Sequence, residues 1–219
     1  HNAESEAFAL AAIEQLESLP PGPELAMAYS NRAQLAMLSA DLPAAQEWGA
    51  RAIDLGERLG ELETVVHALN NVGTAEMREG LPGGSEKVRR SLDLALEAGL
   101  EEHVARAYCN LWAMAVQRRE HAAAVDTCAE GLAYCARHDL DSWRVYMVAW
   151  RAVAELLTGD YDAAADSANL VLTHPRTAQI TRIPALVALG LIRARRGDPA
   201  AIEPLDQALA LARPTGELQ

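Results

Sequence analysis

The chain has 219 residues, half of them apolar, and a formal net charge of −12. This length suffices for a sizeable hydrophobic core. The acidic balance argues against direct contact with nucleic-acid phosphates, and no stretch is long and apolar enough to read as a membrane-spanning helix. Alanine and leucine dominate the apolar half, with five tyrosines and a single phenylalanine, which favours helix over strand.

The opening "HNAESEAFAL" lacks a basic stretch followed by an apolar core, so it does not read as a secretory leader. A start at His1 in place of Met reads as a segment cut from a longer protein. Residues 4–18 then predict one helix. "PELAMAYSNRAQLAML" (23–38) predicts the next, with Leu25, Ala28, Tyr29, Ala33 and Ala36 at three- and four-residue steps. After the turn Ser39-Ala40-Asp41 comes a helix over 43–60, with Pro43 in its first turn and Gly60 as its C-cap. The pattern continues as pairs: 61–80 with 82–99, 101–118 with 120–138, 141–158 with 161–173, and 183–196 with 199–212. The closing "TGELQ" reads as the approach to a further helix.

The turns repeat. "SADLPAA", "REGLPGG", "RREHAAA", "TGDYDAA" and "RGDPAAI" place Ala40, Gly80, Arg119, Gly159 and Gly197 in one slot, at steps of 40, 39, 40 and 38. A second register, the apolar residues Ile13, Ile53, Leu92, Leu132, Leu172 and Leu209, advances by 40, 39, 40, 40 and 37. Two independent registers with one period mark a helical repeat of about 39 residues. A small residue in the turn slot permits left-handed backbone, and the Asp that follows it in several copies caps the second helix.

A helix pair with small residues at fixed slots and Gly-Asp-Tyr at its turn resembles the tetratricopeptide repeat. The matching residues are Tyr29, Asn31, Ala33, Asp41, Ala45 and Ala52, then Leu69, Asn71, Val72, Gly73 and Gly80. Tyr108, Asn110, Leu111 and Ala124 follow, then Gly159, Asp160, Tyr161 and Ala164, and last Leu189, Gly190, Gly197 and Asp198. The resemblance implies an all-α, right-handed superhelix of antiparallel helix pairs. It would form a single array over 1–219 of about five and a half repeats: a half repeat at 4–18, then 23–60, 61–99, 101–138, 141–173 and 177–213. Departures are the long period, Trp112 at a small-residue slot, and charges at apolar slots: Arg32, Arg151, Glu76, Glu155 and Arg193. Such charges need partners near a packing seam; Arg32 is expected to meet Glu76, and Glu155 to meet Arg151 or Arg193.

With "ALNNVGTAEM", "GLAYCARHDLDSW" and "ARPTGELQ", the longer period is similar to the helical-repeat regions of large ATP-binding bacterial regulators of the LuxR type. In that family an ATPase module precedes the repeats and a helix-turn-helix module follows. The resemblance therefore implies a cytoplasmic, non-catalytic sensing or interaction region without a cofactor. Its partners would be a protein, a peptide or a small inducer, together with the other modules of the full-length protein. A plain scaffold or dimerisation region is the alternative.

By the same resemblance the first helices line a concave groove. Ser30, Asn31 and Gln34 face it in one unit, His67, Asn70, Asn71, Thr74 and Arg78 in the next, then Arg106 and Asn110, then Tyr146 and Trp150. Asn31, Asn71 and Asn110 recur at steps of 40 and 39, so they are expected to stack as an amide ladder. Such a ladder suits an extended peptide backbone, because an amide both donates and accepts; the alternative is that these residues bridge neighbouring helices. Met27, Met37 and Met77 offer an adaptable surface or core filling. The six histidines make no metal-ligand spacing, and Cys109, Cys128 and Cys135 make no CxxC, so reduced, buried thiols are expected.

Overall fold

A computed structural model describes residues 2–215, and among them every regular element is helical. The order is α1 (Asn2–Glu17), α2 (Pro23–Leu38), α3 (Leu42–Leu59), α4 (Leu62–Arg78), α5 (Gly84–Ala98), α6 (Glu101–Gln117), α7 (Val125–Arg137), α8 (Asp141–Thr158), α9 (Tyr161–Thr173), α10 (Gln179–Arg195) and α11 (Ile202–Ala212). Short 3-10 turns precede α7 and α11 and follow α11. Among the described residues no helix is long and apolar enough to cross a membrane. The expectation of a further helix beyond Thr215, like the reading of His1, lies outside the described residues.

The turn slot is where sequence and backbone agree most directly. Ala40, Gly80, Arg119, Gly159 and Gly197 all have positive φ, between 56° and 87°. Two of the five are not glycine, so the tight helix-to-helix reversal imposes the left-handed conformation against the Cβ penalty that Ala40 and Arg119 carry. Gly60, Gly99 and Asp139 form a second left-handed set at the turns between pairs. Asp41, Asp160 and Asp198 accept hydrogen bonds from the backbone N–H of Ala44, Ala163 and Ala200 at 3.1, 3.2 and 2.8 Å. Each of them starts a second helix or its 3-10 entry, as the sequence predicts.

The chain divides into two compact units, His1–Leu111 and Trp112–Gln219. In the first, α2 packs on α3, α3 on α4, α4 on α5, and α2 also lies beside α4. Ile13, Leu25, Tyr29, Ala52, Leu55 and Ala68 make one core cluster, and Ala36, Met37, Ala45 and Ala75 another. With α2, α3 and α5 around it, α4 is buried without interruption from Thr64 to Met77. At the first helix, Tyr29 donates to Glu17 at 2.8 Å while the Arg51 guanidinium lies 4.0 Å over the Tyr29 ring and 4.6 Å from that of Trp48. The hydrogen bonds from Tyr29 and Arg51 hold the Glu17 carboxyl below its ordinary pKa; burial and the Glu17 contact raise that of Tyr29. These bonds tie α1 to α2 and α3.

In the second unit α8, α9 and α10 enclose Val145, Val148, Ala152, Leu156, Ala164, Ala168, Val171, Ala185, Ala188 and Ile192. Helix α10 begins at Gln179, four residues before the predicted start at 183, so Pro184 lies inside it. Pro184 has no N–H to donate to the carbonyl of Ile180, which lies in the first turn of the helix at a residue 50% exposed. Trp112, at the slot expected to be small, is 3% exposed and donates its indole N–H to the Met147 carbonyl at 3.2 Å. The three cysteines are buried thiols outside any disulfide, and burial raises the Cys128 pKa to about 11.

The charges at apolar slots are paired, in part differently from expectation. Arg32 bonds Glu6 of α1 and does not meet Glu76; Glu76 is taken by Lys87 at 2.7 Å and Gln46 at 3.0 Å. Arg32 faces α1, so the nearest carboxylate is one that the repeat register does not supply. Arg151 and Glu155 meet within α8 at 3.5 Å, and Arg193 approaches Glu203 at 3.8 Å.

Candidate functional site

The expected groove residues of the first unit do not form one surface. On α4, His67, Asn70, Asn71 and Thr74 lie within about two turns of each other, and all are 5% exposed or less. The amide of Asn71 donates to the Ser30 carbonyl of α2 at 3.3 Å. Asn110 of α6 donates to the side-chain oxygen of Asn70 at 2.6 Å. Arg78 donates to the Met37 carbonyl at 2.9 Å and so caps the C-terminus of α2. Each bond crosses from one first helix to the next, about one repeat along the chain.

The predicted ladder of Asn31, Asn71 and Asn110 is therefore corrected. Asn31 is exposed, Asn71 is buried and turned to backbone, and Asn110 pairs with Asn70. Residues one repeat apart share a slot, but the amides bond to the carbonyl or amide beside that slot. Three polar atoms of this seam, Asn70 Nδ2, Asn71 Oδ1 and Thr74 Oγ1, are buried without a protein hydrogen-bond partner.

His67 sits at the centre of the seam. Its Nδ1 is 2.8 Å from the Ser30 hydroxyl, and its ring meets that of His103 edge-on, with centroids 5.7 Å apart. Burial, with smaller contributions from Arg106 and His103, lowers its pKa to about 3, so the ring is neutral at ordinary pH. His103 in turn lies 3.2 Å from Glu63. Burial also lowers the pKa of the half-buried Arg106, and Glu102 opposes that shift. Neutral His67, bonded amides and a capping arginine make a seam that joins α2, α4 and α6.

Solvent reaches the unit next to this seam. Between α2 and the start of α4 lies an open cleft of about 380 Å³, lined by Pro23, Glu24, Met27, Ala28, Asn31, Glu61, Glu63 and Thr64. Of the predicted site residues only Asn31 lines it; Gln34 is half-buried one turn further along α2. The signal for the others was present, since Met27 and Glu24 precede Asn31 by four and seven residues on one helical face, and Glu63 precedes His67 by four. Met37 and Met77 are core, and Met27 is half-buried at this cleft.

In the second unit Tyr146 and Trp150 stand on α8 with centroids 6.5 Å apart, edge to face, both half-buried. The indole N–H of Trp150 is buried without a hydrogen-bond partner. The pair is an aromatic contact of the kind proteins use in packing and in binding alike.

Neither a protein-family model nor a curated protein sequence matches the chain. A solved structure does. The crystal structure of BtubC (BKLC) from P. vanneervenii superposes with a TM-score of 0.72, covering all of this chain and 93% of that one at 19% sequence identity. The likeness is one of fold.

Proposed function

We propose that this chain is a non-catalytic interaction region: a right-handed tetratricopeptide-like superhelix of about five and a half repeats that holds a partner segment against its first helices. The observation that carries the reading is the open cleft between α2 and α4, where the exposed amide of Asn31 stands beside the apolar surface of Met27 and Ala28. A volume near 380 Å³ falls at the lower end of the range of ligand-binding pockets. In keeping with the sequence resemblance, such a region would belong to a cytoplasmic bacterial transcriptional regulator of the LuxR type, between an ATPase and a helix-turn-helix module. There a bound peptide or inducer would alter the curvature of the array, since small rotations between neighbouring units accumulate.

A specific observation also supports the scaffold reading. The amides of Asn70, Asn71 and Asn110 bond to neighbouring helices, which suits a region that holds its own shape. One experiment separates the two. A panel of labelled extended peptides is titrated against the chain and against Ala28→Trp, which fills the cleft. Binding that disappears in Ala28→Trp, with the melting temperature retained, supports the interaction region. Absence of binding by any peptide favours the scaffold.

A further inference from the structure

The cleft between α2 and α4 carries more information than its shape. Its lining is apolar at Pro23, Met27 and Ala28 and acidic at Glu24, Glu61 and Glu63, of which Glu24 and Glu63 are exposed. Among the described residues Glu24 and Glu61 pair with no arginine, lysine or histidine, and Glu63 meets the ring of His103 at 3.2 Å. Elsewhere in the same unit, glutamates at helix contacts are matched: Glu6 by Arg32, Glu17 by Arg51, Glu76 by Lys87 and Glu57 by Arg90. Carboxylates left unmatched around an apolar opening cost little in water, but they set a negative potential where a partner must approach.

Resting on the interaction reading above, we infer that this cleft selects a cationic segment, one in which lysine or arginine flanks an apolar side chain. The apolar side chain lies on Met27 and Ala28, whose half-buried surfaces leave room for it. The flanking cations meet Glu24 on the α2 side and Glu61 and Glu63 on the α4 side. The Asn31 amide is left to bond the segment's backbone, donating to a carbonyl or accepting from an N–H. The chain's charge of −12 draws the same class of partner from a distance and repels acidic ones.

The test uses three labelled peptides of equal length, alternating lysine with leucine, serine with leucine, and glutamate with leucine, followed by fluorescence anisotropy. The lysine peptide is expected to bind tightest, to weaken as salt is raised, and to lose roughly tenfold or more in affinity when Glu24→Gln, Glu61→Gln and Glu63→Gln are combined. Circular dichroism establishes that the triple variant is folded. Reversing the acidic lining with Glu24→Lys and Glu61→Lys is expected to shift preference to the glutamate peptide. Ala28→Trp is expected to abolish binding of every peptide, which separates the cleft from general attraction to an acidic surface. If the serine or glutamate peptide binds the native chain as well as the lysine peptide does, and Ala28→Trp removes that binding, the charge inference fails while the interaction reading stands. An unchanged affinity for the lysine peptide in the triple glutamine variant overturns it equally. If no peptide binds at all, both fall.

Discussion

Gly73 of α4 and Gly84 of α5 meet with almost no space between their backbones. A methyl group built on Gly73 would stand 2.6 Å from the Gly84 carbonyl oxygen, and one on Gly84 would stand 2.7 Å from the Met77 nitrogen. Neither contact can be relieved by moving the end of a flexible side chain, because the opposing atoms are backbone. Gly73→Ala and Gly84→Ala are each expected to lower stability by about 1–3 kcal/mol, and Gly73→Leu by more, through displacement of α5. Urea unfolding followed by circular dichroism measures this. A midpoint within error of the native chain for Gly73→Leu would mean that α4 and α5 do not cross here.

Asn71 and Asn31 share the repeat slot and are expected to respond in opposite ways. Asn71→Ala removes a buried donor and leaves the Ser30 carbonyl without it, for an expected loss of about 1–2 kcal/mol. Asn31→Ala alters an exposed side chain and is expected to shift stability by no more than about 0.5 kcal/mol. Paired thermal melts decide it. Equal shifts in the two variants would remove the distinction between a helix-bridging amide and a cleft-facing one.

This contrast also shows how far the sequence could be read. The turn slot was legible because a helical reversal imposes backbone geometry that composition records: Gly80, Gly159 and Gly197 mark it openly, and the period then locates Ala40 and Arg119. Helix ends at Gly60 and Gly99 were legible for the same reason. The face that each polar side chain presents was not. Asn31, Asn71 and Asn110 are equivalent in period, but the last two point into contacts set by the pitch between adjacent helices, which no single helix encodes. Arg32 illustrates the same limit, since its partner Glu6 comes from a helix outside the paired register.

Ala40 offers a test in the stabilising direction. It holds φ of 56° at an exposed turn, a conformation that costs a residue with Cβ about 1 kcal/mol relative to glycine. Its side chain contributes nothing to the core. Ala40→Gly is therefore expected to stabilise the chain by up to about 1 kcal/mol, less the extra freedom glycine gives the unfolded chain. Differential scanning calorimetry would register a higher melting temperature. A lower one would show that the unfolded-state entropy outweighs the strain.

The buried His67 predicts how stability changes with pH. Its folded pKa, about 3, lies below the ordinary histidine value of 6.5 because burial and the neighbouring Arg106 and His103 disfavour the imidazolium. The unfolded chain therefore binds a proton that the folded chain refuses. The stabilising contribution of the neutral ring is fully present above pH 6.5 and is lost as pH falls from there toward 3. Within that window the loss approaches about 1.4 kcal/mol per pH unit, the limit for one proton. Carboxylates add their own titration at the acidic end, so the comparison belongs between pH 7.5 and 5 and against His67→Gln. The glutamine keeps a polar group near Ser30 but takes up no proton. Denaturant titrations are expected to show the native chain losing up to about 2 kcal/mol more than the variant across that interval. Parallel losses would mean that His67 is reached by water or finds an anionic partner when protonated, and the neutral seam between α2, α4 and α6 would have to be abandoned.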